Sequence, residues 1–411
     1  LRLLLFTGRG GAGTTTVAAA TAVHAAACGA RTLLSSLDPR SPLEEVLRAE
    51  VGDRTVELPG GLLARGTGPR TGLTGPADRA RTPSGRIEHV LDDAGLDPVH
   101  VADLLGLPGA REILTLLDLP GVLAAAGGSA GTARPGAGDL DLVVLDCPPA
   151  DRTLQLLSIP ETLGSCLEQA LPVERRVLRA MSRGRRRHGD GPASDHLAET
   201  ADLLRAGLSR ARDLLTGPGA SVRIVLGPRP EAVRRTREAR TALCLLGHAV
   251  DGLVVNGVPP GGDRRAPGPH ADPQELLERV AEEFAPLPVL CSRPAPAEPA
   301  GLAALADLGE EVYGPPGPGA VRDLLTGPGV SRFRVERREE EYLVVLPLPH
   351  VDRERVRLSR RGDDLVMEVP GQRRVLSLPS ALRRCRVTTA ALRDGELRVR
   401  FRPDPALWPT A

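Results

Sequence analysis

A chain of 411 residues with 41% hydrophobic content is long enough for two or three domains with real cores. Its net charge of +1 gives no electrostatic case for nucleic acid or an anionic membrane surface as partner. The six cysteines (Cys28, Cys147, Cys166, Cys244, Cys291, Cys385) form no C-x-x-C pair, which argues against zinc and against a disulfide framework.

The first predicted element is a strand at 2–7, carrying the run Leu3-Leu4-Leu5-Phe6. GRGGAGTTT follows at residues 8–16, ahead of a helical pattern at 14–28. Strand, glycine loop and helix in that order match a phosphate-binding loop, G-x-x-x-x-G-K-[ST]. Gly8, Gly10, Gly11 and Gly13 are expected to wrap backbone N–H groups around phosphate, with the helix N-terminus adding favourable charge. Thr15 is expected to place its hydroxyl on Mg²⁺ and Thr16 to lie near the α-phosphate; a plain helix cap is the alternative for either. The position that carries lysine in the motif holds Thr14, which is uncharged and too short to reach the β- and γ-phosphates. The chain has no lysine at all and a single asparagine, Asn256, as a very GC-rich genome would produce. That pressure would replace a needed cation with arginine, so it does not account for Thr14.

Further strands are predicted at 31–37, 140–146, 222–226 and 251–256, and helical patterns at about 98–118, 154–181, 195–215, 231–246 and 272–284. Strands alternating with helices predict a doubly wound, mainly parallel sheet covered on both faces. Gly/Pro/Ala-rich stretches at 59–76, 127–138 and 259–270 read as loops. Three of the strands end on polar residues: Asp38 after LLSSL, Asp146 after DLVVL, and Asn256 after DGLVV. Each could be only a strand-end turn residue. Asp146 is the stronger functional candidate, because an apolar run ending in one carboxylate delivers charge to the sheet edge. Asn256 can offer both donor and acceptor to a base. Cys147 reads as a small buried residue rather than a nucleophile. No apolar stretch approaches the ~20 residues of a membrane span, and the opening run is strand-like rather than a signal peptide, so the chain reads as cytoplasmic.

Residues 314–330 (GPPGPGAVRDLLTGPGV) read as a linker. Past it, FRVERREEEYLVVLPLP, VRLSRRGDDLVMEVP, RRVLSLP, CRVTT and GELRVRFRP are short β-rich segments joined by RGDD, PGQ and RDGE turns. That spacing predicts a small all-β sandwich over 331–411.

The whole resembles the arsenite-pump and tail-anchored-protein-targeting ATPases, a P-loop NTPase family. GRGGAGTTT stands against that family's GKGGVGKTT; TVAAATAVHAAACGARTLLSSLDP, LDLVVLDCPPADRTLQLLSIPETL, GHAVDGLVVNGVPP and PLPVLCSRPAPAEPAGLAALADLGEEVYG follow in the family's order over 1–313. The tail is similar to the α-crystallin domain of small heat-shock proteins, including an A-x-x-x-x-G-x-L ending through Ala390 or Ala391, Gly395 and Leu397. The resemblance implies ATP and Mg²⁺ as cofactors, a helical lobe around 90–125 and 154–215 that holds a client protein, and a homodimer. It implies that Asp38 orients the attacking water, that Asp146 holds Mg²⁺ through water together with Thr15, and that Asn256 reads adenine. Arg9 stands where the family's second lysine reaches the partner's nucleotide; a solvated surface arginine is the alternative. Two switch segments depart from the family: D-P-A-H becomes Asp38-Pro39-Arg40-Ser41, and T-G-H becomes Ala150-Asp151-Arg152. Two methionines, Met181 and Met367, do not make a Met-rich client groove, and Cys166 alone in the lobe does not make an arsenite site.

Two functions fit these residues. One is a dimeric ATPase that uses Asp38, Asp146, Thr15 and Arg9 and couples turnover to a client, impaired by the loss of the loop lysine. The other is a pseudo-ATPase scaffold or chaperone-like client-binding protein. A third, weaker one is the tail acting alone as a small chaperone.

Overall fold

A computed structural model describes residues 1–52, 54–66, 110–126, 139–170, 192–260, 273–326, 332–338 and 341–406. The helical patterns at 98–109 and 171–181, and the predicted loops at 67–76, 127–138 and 261–270, lie outside the described residues. In chain order the large unit runs β1 (Arg2–Gly8), α1 (Thr14–Ala27), β2 (Thr32–Ser36), α2 (Leu43–Leu47), β3 (Val56–Glu57), β4 (Leu63–Arg65), α3 (Ala110–Ala126), β5 (Leu142–Asp146), α4 (Ala150–Ala170), α5 (Pro192–Thr216), β6 (Ala220–Leu226), α6 (Pro230–Leu245), β7 (Val250–Val255), α7 (Pro273–Phe284), β8 (Val289–Cys291), α8 (Leu302–Tyr313) and α9 (Pro318–Thr326). The sheet order is β3-β4-β2-β5-β1-β6-β7-β8, parallel throughout except at the β3–β4 edge.

Alternation along the central strands splits the core in two. Leu3 and Leu5 of β1 join Val143 and Leu145 of β5 on one face; Leu4 and Phe6 join Leu142 and Val144 on the other. A strand buried on both faces therefore reads as a continuous apolar run, as the sequence predicts. The face holding Leu4 is covered by α1, whose buried Ala18, Ala19, Ala22 and Ala25 let its neighbours come close. Gly309 of α8 fits there because a Cβ would sit 2.9 Å from the Ala20 carbonyl.

Charge is also buried in this unit. Asp251, which opens the second residue of β7, accepts from Arg2 Nη2 at 2.8 Å and from Arg223 Nη2 at 3.1 Å, and all three are buried. Arg223 also donates to the Tyr313 hydroxyl at 3.2 Å, which ties β6 to α8. Two guanidiniums on one carboxylate make each bond charge-assisted and leave the cluster intolerant of losing the acid.

The stretch predicted as a linker contains α9, with Leu324 buried against α1. Its glycines and prolines flank a short amphipathic helix rather than a free tether; residues 327–330 lie outside the described residues.

The tail runs β9 (Arg334–Arg338), β10 (Glu341–Pro347), β11 (Arg357–Arg361), β12 (Asp364–Val369), β13 (Gln372–Ser377), α10 (Ser380–Arg383), β14 (Cys385–Arg393) and β15 (Glu396–Pro403). Two antiparallel sheets, β14-β15-β10-β9 and β11-β12-β13, enclose a core that includes Val344, Leu346, Leu365, Met367, Leu376, Val399 and Phe401. The RDGE turn closes β14 onto β15 with both central residues at positive φ, Asp394 at 52° and Gly395 at 70°, as a type I′ hairpin requires.

The tail is docked on the large unit. Leu245 at the end of α6 belongs to the tail's own core. Arg374 of β13, 3% exposed, donates to Glu161 of α4 at 2.9 Å and to the Leu245 carbonyl at 2.7 Å. Thr241 of α6 donates to the Pro349 carbonyl at 2.7 Å.

Candidate functional site

The C-terminal ends of β1, β2, β5 and β7 bring the sequence-predicted residues together at one edge of the sheet. Gly8 closes β1, where a side chain would run into the Val225 carbonyl of β6. Gly10 and Gly11 form the exposed crown of the loop. Gly13 has φ 79° and ψ 29°, and a Cβ there would collide with Asn256 Nδ2. Only glycine meets both demands. α1 starts at Thr14, so the loop delivers its last N–H groups at a helix N-terminus.

Asn256 holds this loop. Its Nδ2 donates to the Ala12 carbonyl at 2.9 Å, and its Oδ1 accepts from the Ser292 hydroxyl at 2.6 Å. The Ala12 carbonyl can only accept, which fixes the orientation of the amide. One N–H and one lone pair remain for a ligand. Ser292 was not singled out in the sequence; it follows β8, a strand of three residues too short to stand out there.

Asp146 is the centre of the site. It is 1% exposed at the end of β5. One carboxylate oxygen, Oδ2, accepts from Ser41 at 2.6 Å, Thr15 at 3.1 Å and Ser36 at 3.3 Å. The other, Oδ1, is buried and meets no donor. Burial raises the Asp146 carboxyl to a pKa of about 6; the hydroxyls of Ser41 and Thr15 pull it down and nearby Asp38 pushes it up. A buried carboxylate with one bare oxygen beside a loop threonine is a donor set suited to Mg²⁺. Ser41 and Ser36 were missed in the sequence. Ser41 occupies one of the positions where the first switch departs from the family, so the departure supplies a donor to the acid.

Asp38 is half-buried at the end of the LLSSLD segment. Its Oδ1 accepts from Arg40 N at 2.9 Å, and its own N–H donates to Ser36 Oγ at 3.0 Å. Ser36 thus links Asp38 to Asp146. Thr16 is buried, while Thr14 and Thr15 are half-buried. The Arg9 side chain is about half exposed and lies 3.7 Å from Glu231 of α6.

The second switch runs straight from β5 into α4, with Asp151 and Arg152 exposed on the first turn. Its start is fastened to β1: Thr7 Oγ1 donates to the Pro148 carbonyl at 3.0 Å and lies 2.9 Å from Thr153 Oγ1. Cys147 is buried, and that burial pushes its thiol well above the ordinary range.

Among the described residues no helix is long and apolar enough to cross a membrane.

Comparison with known proteins identifies the family. The model of the family described as anion-transporting ATPase matches residues 1–314, and that of an HSP20-like domain found in ArsA matches residues 339–401. An uncharacterised protein of Streptomyces coelicolor is 36% identical over 100% of this chain and 99% of its own length. A protein of Mycobacterium tuberculosis is 33% identical over 100% of this chain and 98% of its own. An arsenical pump-driving ATPase of Escherichia coli is 27% identical over 69% of this chain and 44% of its own. With its phosphate loop, parallel sheet and β-sandwich tail, the chain belongs to the anion-transporting ATPase family.

Proposed function

We propose that this protein binds ATP with Mg²⁺ in the loop Gly8–Thr16 and couples nucleotide occupancy to a client protein, with turnover made slow by Thr14. The observation that carries the reading is the bare, buried Oδ1 of Asp146 beside three hydroxyls. A buried carboxylate oxygen that meets no donor is costly unless a cation meets it. Thr15 and, through water, Asp146 would hold the ion. When bound, Mg²⁺ supplies charge neutralisation at the β- and γ-phosphates.

The chain's own residues do the rest. Gly10, Gly11 and Gly13 free backbone N–H groups for phosphate. Asn256 holds the loop closed and keeps one donor and one acceptor for the base. Asp38 orients the attacking water. Arg9, exposed at the rim, acts across a homodimer on the partner's nucleotide. Losing the loop lysine removes transition-state stabilisation of the size carried by one oxyanion donor, about 3–4 kcal/mol, or ~10²–10³ in rate.

The pseudo-ATPase reading differs in one respect, the absence of any turnover, and Thr14 is the residue that favours it. Steady-state phosphate release by the full chain separates the two. Slow release abolished by Asp38→Asn supports the ATPase; release identical in Asp38→Asn and at background leaves the scaffold. Fast release sensitive to Asp38→Asn would contradict the role given to Thr14.

A further inference from the structure

A cleft runs along α6 and shares Gly8, Arg9 and Gly10 with the sheet edge just described. It has a volume of about 720 Å³, within the usual range for a ligand site, and is built from both units. At one end are Gly8, Arg9 and Gly10 of the phosphate loop; at the other are Val351 and Arg355 of the tail. Leu154, Ile224 and Leu226 line the large unit's side, and Val369 and Pro370 the tail's.

The charge on its walls is mostly positive and is spread along its length. Arg9 stands at the loop end, Arg234, Arg235 and Arg237 along α6, and Arg355 at the tail end; Asp151 and Glu238 are the opposing carboxylates in the lining. The α6 arginines are paired with Glu238, Glu231 and Glu283, yet the three guanidinium side chains are 59%, 48% and 47% exposed. Exposed pairs of that kind hold weakly and re-pair readily with an incoming carboxylate. Two titrating groups register the field. His350, in the lining, is pushed down to about 4 by packing of its ring and by Arg240 and Arg237. Glu231 is held below the ordinary carboxylate range by Arg235 and Arg9.

We infer that this cleft is a docking site for a peptide segment with an apolar centre and carboxylate side chains at both ends. A single-headed amphiphile such as a fatty acid would match one end only, whereas Arg9 and Arg355 call for acid at both. The inference rests on the client-handling part of the function proposed above and not on turnover. Because the phosphate loop and the start of α4 form one end of the cleft, a docked segment lies against the nucleotide site.

The test uses the full chain and two fluorescent peptides that share an Ile/Leu/Val centre, one flanked by Asp and Glu, the other by Arg and Lys. Polarisation should show the acidic peptide binding at least about tenfold more tightly. The charge reversal Arg234→Glu with Arg355→Glu, one exposed residue from each wall, should weaken it by at least about tenfold. Arg337→Glu, exposed on the tail but outside the cleft, should leave it unchanged. Equal binding of the two peptides, no binding of either, indifference to the charge reversal, or displacement of the acidic peptide by dodecanoate as effective as by unlabelled peptide would overturn the inference. Mg-ATP affinity measured on the same proteins keeps the two readings apart. Peptide binding without ATP binding sinks the nucleotide reading alone, and ATP binding without peptide binding sinks this one alone.

Discussion

The two sides of the phosphate loop are built to different standards. On the metal side, Thr15, Ser36 and Ser41 converge on one oxygen of Asp146, and Asn256 braces the loop from behind. On the cation side there is an uncharged Thr14 and an Arg9 that leans toward Glu231. The acid on the metal side is buried, and a buried carboxylate is costly to keep. The cation side bears no such cost. Under the function proposed above, binding would rest on the first side and turnover on the second.

The comparison breaks most visibly at Thr14. Thr14→Lys restores the loop cation and should raise phosphate release by about 10²–10³-fold; an unchanged rate would show that the switch segments, rather than the lysine, limit turnover. Next comes the junction with the tail. Glu161→Ala leaves Arg374 buried without its main partner and should destabilise the protein by about 3–5 kcal/mol, read as a lower unfolding midpoint in urea. A change within error would mean that the Leu245 carbonyl, 2.7 Å from Arg374, satisfies the guanidinium without Glu161.

The Asp146 carboxyl is raised in the folded protein to about 6 from 3.8, so the folded state favours the proton. Without metal, this group's contribution to stability is complete below about pH 4 and is lost as pH rises through about 6, a change on the order of 3 kcal/mol. Asp146→Asn should therefore raise the metal-free melting temperature at pH 7 while removing the response to Mg²⁺. Wild-type Mg²⁺ affinity should fall as pH drops below about 6, because the metal and the proton compete for one carboxylate. A melting temperature lowered by Asp146→Asn would contradict the raised pKa. The smallest effect is expected from Arg9→Ala, whose exposed pair with Glu231 should leave the unfolding midpoint unchanged within error. Its readout is the concentration dependence of phosphate release, which an arginine acting across a dimer would alter.

Much of this was legible in the sequence, and what was not has a common cause. β1 and β5 are apolar runs ending on Gly8 and Asp146, β7 is followed by Asn256, and local pattern alone gives the strands and the candidates at their ends. Ser36 and Ser41 reach Asp146 across more than a hundred residues of chain, and isolated serines carry no periodic signal. Arg2 and Asp251 sit at strand beginnings, where charged residues pass for turns, yet they meet in the core. α9 was hidden by the glycines and prolines around it; only Leu324 and Leu325 at its end hint at a buried face. The tail's hairpins were legible from their turns, but its seat on α4 and α6 depends on Arg374, one arginine among 53 basic residues.

The most direct test of the account is a calorimetric titration of the full chain with ATP, with and without Mg²⁺, at pH 7.5. The intact metal side predicts binding that tightens by at least about tenfold when Mg²⁺ is present, and no such gain in Asp146→Asn. ATP binding that is indifferent to Mg²⁺, or absent in both conditions, would contradict it.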